Sequence, residues 1–196
     1  MRVRSSLRTS TRRAFLSVVA MFLAVGFGAA QTSSHTSTNA AKVAADLQSR
    51  AKRYLEFRKR VAGSGPNSTA TPAKITSAQR ELANKIRVAR AGAKQGEIFT
   101  PEIAQYVRRQ IGSRLEGRDG DRIRASLRHA EPVSITLQIN QSYPENIPLQ
   151  STPPSLLLSL PELPAGLEYR LVGRELVLRD VDANIVVDYV TNALPG

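Results

Sequence analysis

Leu167-Glu168-Tyr169-Arg170-Leu171-Val172-Gly173-Arg174-Glu175-Leu176-Val177-Leu178-Arg179-Asp180-Val181-Asp182-Ala183-Asn184-Ile185-Val186-Val187-Asp188-Tyr189-Val190 is the stretch that decides the fold. It is rich in Val, Leu and Tyr, residue types that suit a pleated, half-buried surface. Two turn signals divide it, Gly173-Arg174 and Val181-Asp182-Ala183. Glycine accepts the backbone angles that a tight hairpin demands. The spacing predicts three short strands, over 167–172, 175–179 and 184–190.

Upstream, Val133-Ser134-Ile135-Thr136-Leu137-Gln138-Ile139 alternates apolar and polar residues without a break. Successive side chains of a strand point to opposite faces, so this pattern predicts a fourth strand over 133–139. Between it and Leu167 stand Pro144, Pro148, Pro153, Pro154, Pro161 and Pro164. Proline inside a helix removes a hydrogen bond and clashes with the preceding turn, so this is an irregular crossing with one helical turn around Leu156-Leu157-Leu158.

The first half reads as helix. From Thr38 to Ala62 the apolar positions Val43, Leu47, Ala51, Tyr54, Leu55 and Val61 follow helical spacing, with basic residues filling most of the rest. Gly63-Ser64-Gly65-Pro66-Asn67-Ser68-Thr69-Ala70-Thr71-Pro72 has the composition of a flexible linker. A second helix is expected to start near Thr76 or Ser77, either able to cap it, with Leu82, Ile86 and Ala89 on its buried side. Gly92 and Gly96 interrupt it, and Thr100-Pro101-Glu102 restarts a helix with a capping hydroxyl and proline at the first helical position. Ile103, Val107, Ile111 and Leu115 recur every fourth residue, and Ile123 and Leu127 mark a last helix over 119–130. The fold class expected is α+β, a helical N-terminal half packed on a small, mostly antiparallel C-terminal sheet of three to four strands. The organisation expected is a signal at 1–30, a basic helical arm within 31–62, a linker at 63–73 and an α+β domain at 74–196 with helices over about 75–130.

The segment from Ser155 to Pro164, continuing through Gly166 to Asp180, resembles a group of small exported bacterial proteins without an assigned function, over roughly residues 95–192. More remotely, Tyr169, Gly173, Leu176 to Leu178, Ile185 and Val187 look like the terminal hairpin of a periplasmic nickel and cobalt homeostasis family. That likeness implies a periplasmic setting and transfers no metal ligands.

The N-terminus carries an export pattern. Arg2, Arg4, Arg8, Arg12 and Arg13 occur with no acid among them, an apolar run spans Phe15 to Phe27, and small residues stand at Gly28, Ala29 and Ala30. These are the three parts of a secretory signal, and cleavage is expected after Ala30. Thr11-Arg12-Arg13-Ala14-Phe15-Leu16 resembles the twin-arginine motif, with Ser17 where lysine is frequent, which leaves the general secretion route open. An uncleaved anchor needs roughly 17–25 apolar residues, a length that Ala14 to Ala30 barely reaches with its interruptions. The chain has no cysteine, which excludes an acylated-cysteine anchor, disulfides and thiolate metal sites. With no tryptophan and few aromatics, it has little material for a stacking platform on single-stranded nucleic acid or sugars.

The net charge of +12 is unevenly spread. Residues 31–130 hold 20 Lys and Arg against 8 Asp and Glu, whereas residues 131–196 hold 3 against 8. A basic half and an acidic half can satisfy each other by docking, or the basic half can meet an anionic partner. Arg50, Lys52, Arg53, Arg58, Lys59 and Arg60 crowd one helix, and Arg108, Arg109 and Arg114 another. Export argues against nucleic acid. The partner-binding candidates are therefore Arg50, Arg53, Arg58, Lys59 and Arg60, facing a protein, another anionic polymer of the envelope, or anionic lipid headgroups at a membrane surface.

Catalytic chemistry finds little material. His35 and His129 are the two residues able to act as a neutral-pH base, one expected in a polar stretch after the signal and the other at a helix end, where the dipole favours a cation. No Gly-x-Ser-x-Gly elbow occurs. Asp180 and Asp188 could meet across a hairpin as paired carboxylates. Asp180-Val181-Asp182-Ala183-Asn184 has the spacing of the first three ligands of a calcium loop, but Ile185 stands where glycine is needed and Thr191 where a bidentate glutamate is needed. Asp180, Asp182 and Asn184 are thus candidate metal ligands, with a plain turn as the competing reading. The function expected is an exported, non-enzymatic interaction module of the cell envelope that needs no cofactor; the alternative is a periplasmic metal-responsive protein.

Overall fold

The computed structural model describes residues 29–63, 71–128, 136–143 and 154–195. The chain is an α+β protein, with helices in its N-terminal half and an antiparallel sheet at its C-terminal end. Helices α1 (Ala29–Ala62), α2 (Pro72–Ala89), α3 (Pro101–Arg114) and α4 (Gly117–Arg128) come first, then the single turn α5 (Pro154–Leu157). Strands β1 (Leu167–Val172), β2 (Glu175–Asp180) and β3 (Ile185–Val190) follow. Residues from Ala40 onward form one compact unit, and those before it a separate one.

The three strands lie in the order β1-β2-β3, joined by the hairpins the sequence predicts. Gly173 turns the first with φ +59°, and Asn184 closes the second with φ +50°. Asn tolerates this left-handed region because its short polar side chain bonds locally. The pairing of β2 with β3 carries a bulge: Leu178 faces Asp188 and Arg179 faces Val186, which leaves Val187 extra on β3. A bulge re-aims the side chains that follow it, and Val187 and Asp188 are both fully buried.

One face of the sheet joins the main core, where Leu176, Leu178, Ile185 and Val187 meet Leu47, Ala51 and Tyr54 of α1, Ala83 and Ile86 of α2, and Ile103, Val107 and Ile111 of α3. Val172, Val177 and Val186 on the other face pack with Tyr143.

Three boundaries differ from expectation. Residues 136–139 of the expected fourth strand lie outside any strand, and 133–135 lie outside the described residues. The free edge of β3 is instead paired by the residues that follow, through Asn140 N–H to the Val186 carbonyl (2.8 Å), Val186 N–H to the Gln141 carbonyl (2.9 Å) and Tyr143 N–H to the Asn184 carbonyl (2.8 Å). Alternation reports which side chains are amphipathically placed; it does not choose the residues that reach a partner's edge.

Helix α2 begins at Pro72, four residues before the predicted start, with Thr71 extended at the N-cap. Proline lacks the N–H that a first helical turn leaves unbonded, so it starts this helix rather than ending the linker. The Thr76 hydroxyl donates to the Pro72 carbonyl (3.1 Å) instead of capping. Helix α3 starts as predicted, with the Thr100 hydroxyl oxygen accepting from Ile103 N–H.

The third correction concerns the arm. From Ala40 on, α1 is part of the main body, with Leu47 and Ala51 fully buried and Tyr54 nearly so. The apolar stripe seen in the sequence is its core-facing side. The residues 64–70 of the expected linker lie outside the described residues, as do 1–28 of the expected signal and His129. His35 falls within α1.

Candidate functional site

The C-terminal half of α1 meets the end of β2 at a buried carboxylate. Asp180 is fully buried, and it accepts hydrogen bonds from the Tyr54 hydroxyl (2.8 Å), the Arg58 guanidinium (3.0 Å) and Ala183 N–H (3.0 Å). A buried charge is tolerated when it is paired and hydrogen-bonded, and these three donors come from two separate elements. Arg58 also pairs with Asp182 (2.8 Å). Burial, then the charge of Asp180 and the hydrogen bond to it, push the Tyr54 phenol well above its ordinary pKa. The Arg90 guanidinium covers the Tyr54 ring at 5.2 Å.

This geometry divides the candidate metal ligands. Asp180 and Asp182 both face Arg58, whereas the Asn184 side-chain oxygen accepts from two nitrogens of Arg179 (2.9 and 2.6 Å) and its amide nitrogen donates to the Tyr143 carbonyl (3.2 Å). Arg179 and Asp180 are neighbours in a strand and so point to opposite faces, which draws the two ends of the turn apart. In the Asp180 to Asn184 segment the two acids thus face an arginine, while Asn184 is engaged by Arg179 and Tyr143. Among the described residues, no group of three His, Cys, Asp or Glu side chains comes together to hold a metal ion.

Asp180 and Asp188 do not form an acid and base pair either. Asp188 accepts from Gly96 N–H (3.0 Å), Ile98 N–H (2.8 Å) and Phe99 N–H (2.8 Å), so it pins the loop between α2 and α3 to β3. Sequence reading missed this cage. The signal for it was Asp188 itself, a lone charge inside an otherwise apolar strand.

The basic candidates also separate. Arg50 pairs with Asp46 (2.9 Å) and donates to the Glu97 carbonyl (2.9 Å), and Arg58 serves the Asp180 cluster, so both belong to internal contacts. Arg53 is exposed and donates to the Ser49 hydroxyl (2.7 Å). Lys59 and Arg60 are exposed and make no ion pair with any described residue.

Beside Lys59 runs a groove of about 730 Å³ between α1, α2 and the β2–β3 turn. Leu55, Ala62, Ile75, Ala78, Leu82 and Val181 supply its apolar lining, and Arg58, Lys59, Lys85, Glu81 and Asp182 its charged groups. Ile75 remains 53% exposed and Val181 38% exposed. Ligand sites of this size are concave and mostly apolar with a few polar groups. The groove was hidden in the sequence because Ile75 precedes the predicted helix start, although Ile75, Ala78 and Leu82 do have the spacing of one helical face.

Compared with protein-family models, with curated proteins and with solved structures, the chain matches none. Among the described residues, no helix is long and apolar enough to cross a membrane.

Proposed function

We propose that this chain is an exported, non-enzymatic interaction module whose groove between α1, α2 and the β2–β3 turn receives an acidic polypeptide segment bearing an apolar side chain. The observation that carries this reading is Ile75, a large apolar residue left half-exposed in a concave wall. A partner's apolar group seated there would remove that surface from water, and burial of this kind drives most association. Lys59 stands in the groove and Arg60 beside it on α1, exposed and without an acidic partner among the described residues, which supports an acidic segment as the occupant. Complementary charge fixes register and speeds encounter. The N-terminal pattern of arginines and apolar residues supports export, and an exported chain would meet its partner in the envelope.

The test is site-specific photo-crosslinking in intact cells, with the photoreactive residue at position 75 of the full chain and, as control, at position 118 of α4. The expected result is a discrete adduct from position 75, absent from position 118 and lost when Lys59→Glu is added, with the cross-link mapping to an acidic segment of an envelope protein. Adducts equal at both positions, or a position 75 adduct indifferent to Lys59→Glu, would overturn the proposal. Adducts to lipid alone would replace it with a membrane-surface role.

A further inference from the structure

Six described arginines are half-buried: Arg50, Arg58, Arg87, Arg90, Arg170 and Arg179. Five of them face a carboxylate, of Asp46, of Asp180 and Asp182, of Glu97, or of Glu168. Arg87 does not. It donates to the Asn140 carbonyl (3.1 Å), to the Ser142 hydroxyl (2.9 Å) and to the Asn84 side-chain oxygen, all neutral acceptors. A guanidinium has five N–H donors, so the described residues engage three and leave two, with no described carboxylate to compensate the charge.

Arg87 lines a cavity of about 310 Å³ between α2 and the edge formed by Ser142 and Asn184. Arg80, seven residues earlier and so on the same face of α2, lines it too. Arg80 is exposed and makes no hydrogen bond or ion pair with any described residue. Asn84 lies between them and accepts from Arg87 through its oxygen, which leaves its amide nitrogen as a donor. Among the described residues, no acid lines this cavity.

We propose that this cavity is a binding site for a small oxyanion, carried either by phosphate or by a polycarboxylate. Guanidinium groups match such oxygens with paired, charge-assisted hydrogen bonds. Arg87 is held in place by its three neutral partners before any ligand arrives, so little side-chain freedom is lost on binding. Arg80, exposed at the solvent side of the lining, supplies the second cation. The site is separate from the apolar groove on the other flank of Gln79.

The experiment is calorimetric titration of the full chain with inorganic phosphate and, separately, with citrate, at constant ionic strength set by chloride. The variants are Arg80→Gln and Asn84→Asp, both at exposed positions, with Arg118→Gln as control. The expected result is saturable one-to-one binding of at least one probe, weakened about tenfold or more by Arg80→Gln and by Asn84→Asp, and unchanged by Arg118→Gln. Phosphate binding alone identifies a phosphoryl ligand, and citrate binding alone a carboxylate ligand. Absence of saturable binding with both probes, or equal affinity in the parent chain and Arg80→Gln, overturns the proposal.

Discussion

Tyr54 and Asp180 lie 126 positions apart in the chain, and the hydroxyl of one donates to the carboxylate of the other at 2.8 Å. This bond ties the first long helix to the end of the central strand, and both groups are buried. Hydrogen bonds to a charged group contribute more than neutral ones. Tyr54→Phe keeps the ring and removes the donor, so it is expected to lower stability by about 2 kcal/mol, with Arg58 still holding Asp180. Urea unfolding monitored by circular dichroism reads this as a lower midpoint at unchanged slope. A midpoint equal to that of the parent chain would show that Tyr54 is only filling space.

Asp188 makes a sharper case, because its acceptors are matched to three backbone N–H groups of one loop. Asp188→Ala leaves those donors without partners in a dry site, and the expected loss is about 3 kcal/mol or more. Hydrogen exchange gives the local readout. Ile98 and Phe99 amides are expected to exchange far faster in the variant, while amides of β1 keep their ordering relative to one another. Unchanged protection at Ile98 and Phe99 would refute the cage.

These two carboxylates also mark where sequence stops being informative. The hairpins were legible because Gly173-Arg174 and Val181-Asp182-Ala183 interrupt runs of strand-forming residues, and α3 because Thr100-Pro101 is a local signal. The bulge on β3 was not legible, since it exists only as a mismatch between two paired strands. Arg58 read as a surface cation because a charge carries no sign of a partner 122 positions away. The groove depended on where α2 begins, and a proline that could end a linker or open a helix decided that.

Gly166 offers a test of how tightly the Asp180 cluster is packed from outside. Its φ is +94°, and a Cβ built there would lie 3.0 Å from the Arg58 guanidinium. Gly63 also has positive φ, +67°, but nothing lies within 4 Å of its Cβ position. Both Gly→Ala variants carry backbone strain, of order 1–3 kcal/mol. Gly166→Ala adds a displacement of Arg58 from its two aspartates, so it is expected to be the less stable of the pair. Equal thermal midpoints for the two variants would mean that Arg58 yields without cost.

Glu168 gives the fold a defined acid sensitivity. Burial alone would raise its carboxyl pKa, but hydrogen bonds from Arg170 (2.7 and 2.9 Å) and Arg179 (2.6 Å), with their charges, outweigh it and hold the group below its ordinary value of 4.5. The folded state thus prefers the ionised form more than the unfolded chain does. That preference contributes stability that is fully present above 4.5 and is lost as pH falls below 4.5 through the folded value. Glu168→Gln removes the titration and keeps the shape. The stability difference between the parent chain and Glu168→Gln is expected to be constant from neutral pH down to about 5.5 and to narrow steadily below 4.5. Because the carboxylate is partly exposed, the difference should also shrink in high salt. A gap that holds its size at pH values well below 4.5 would place the contribution of Glu168 in packing rather than charge.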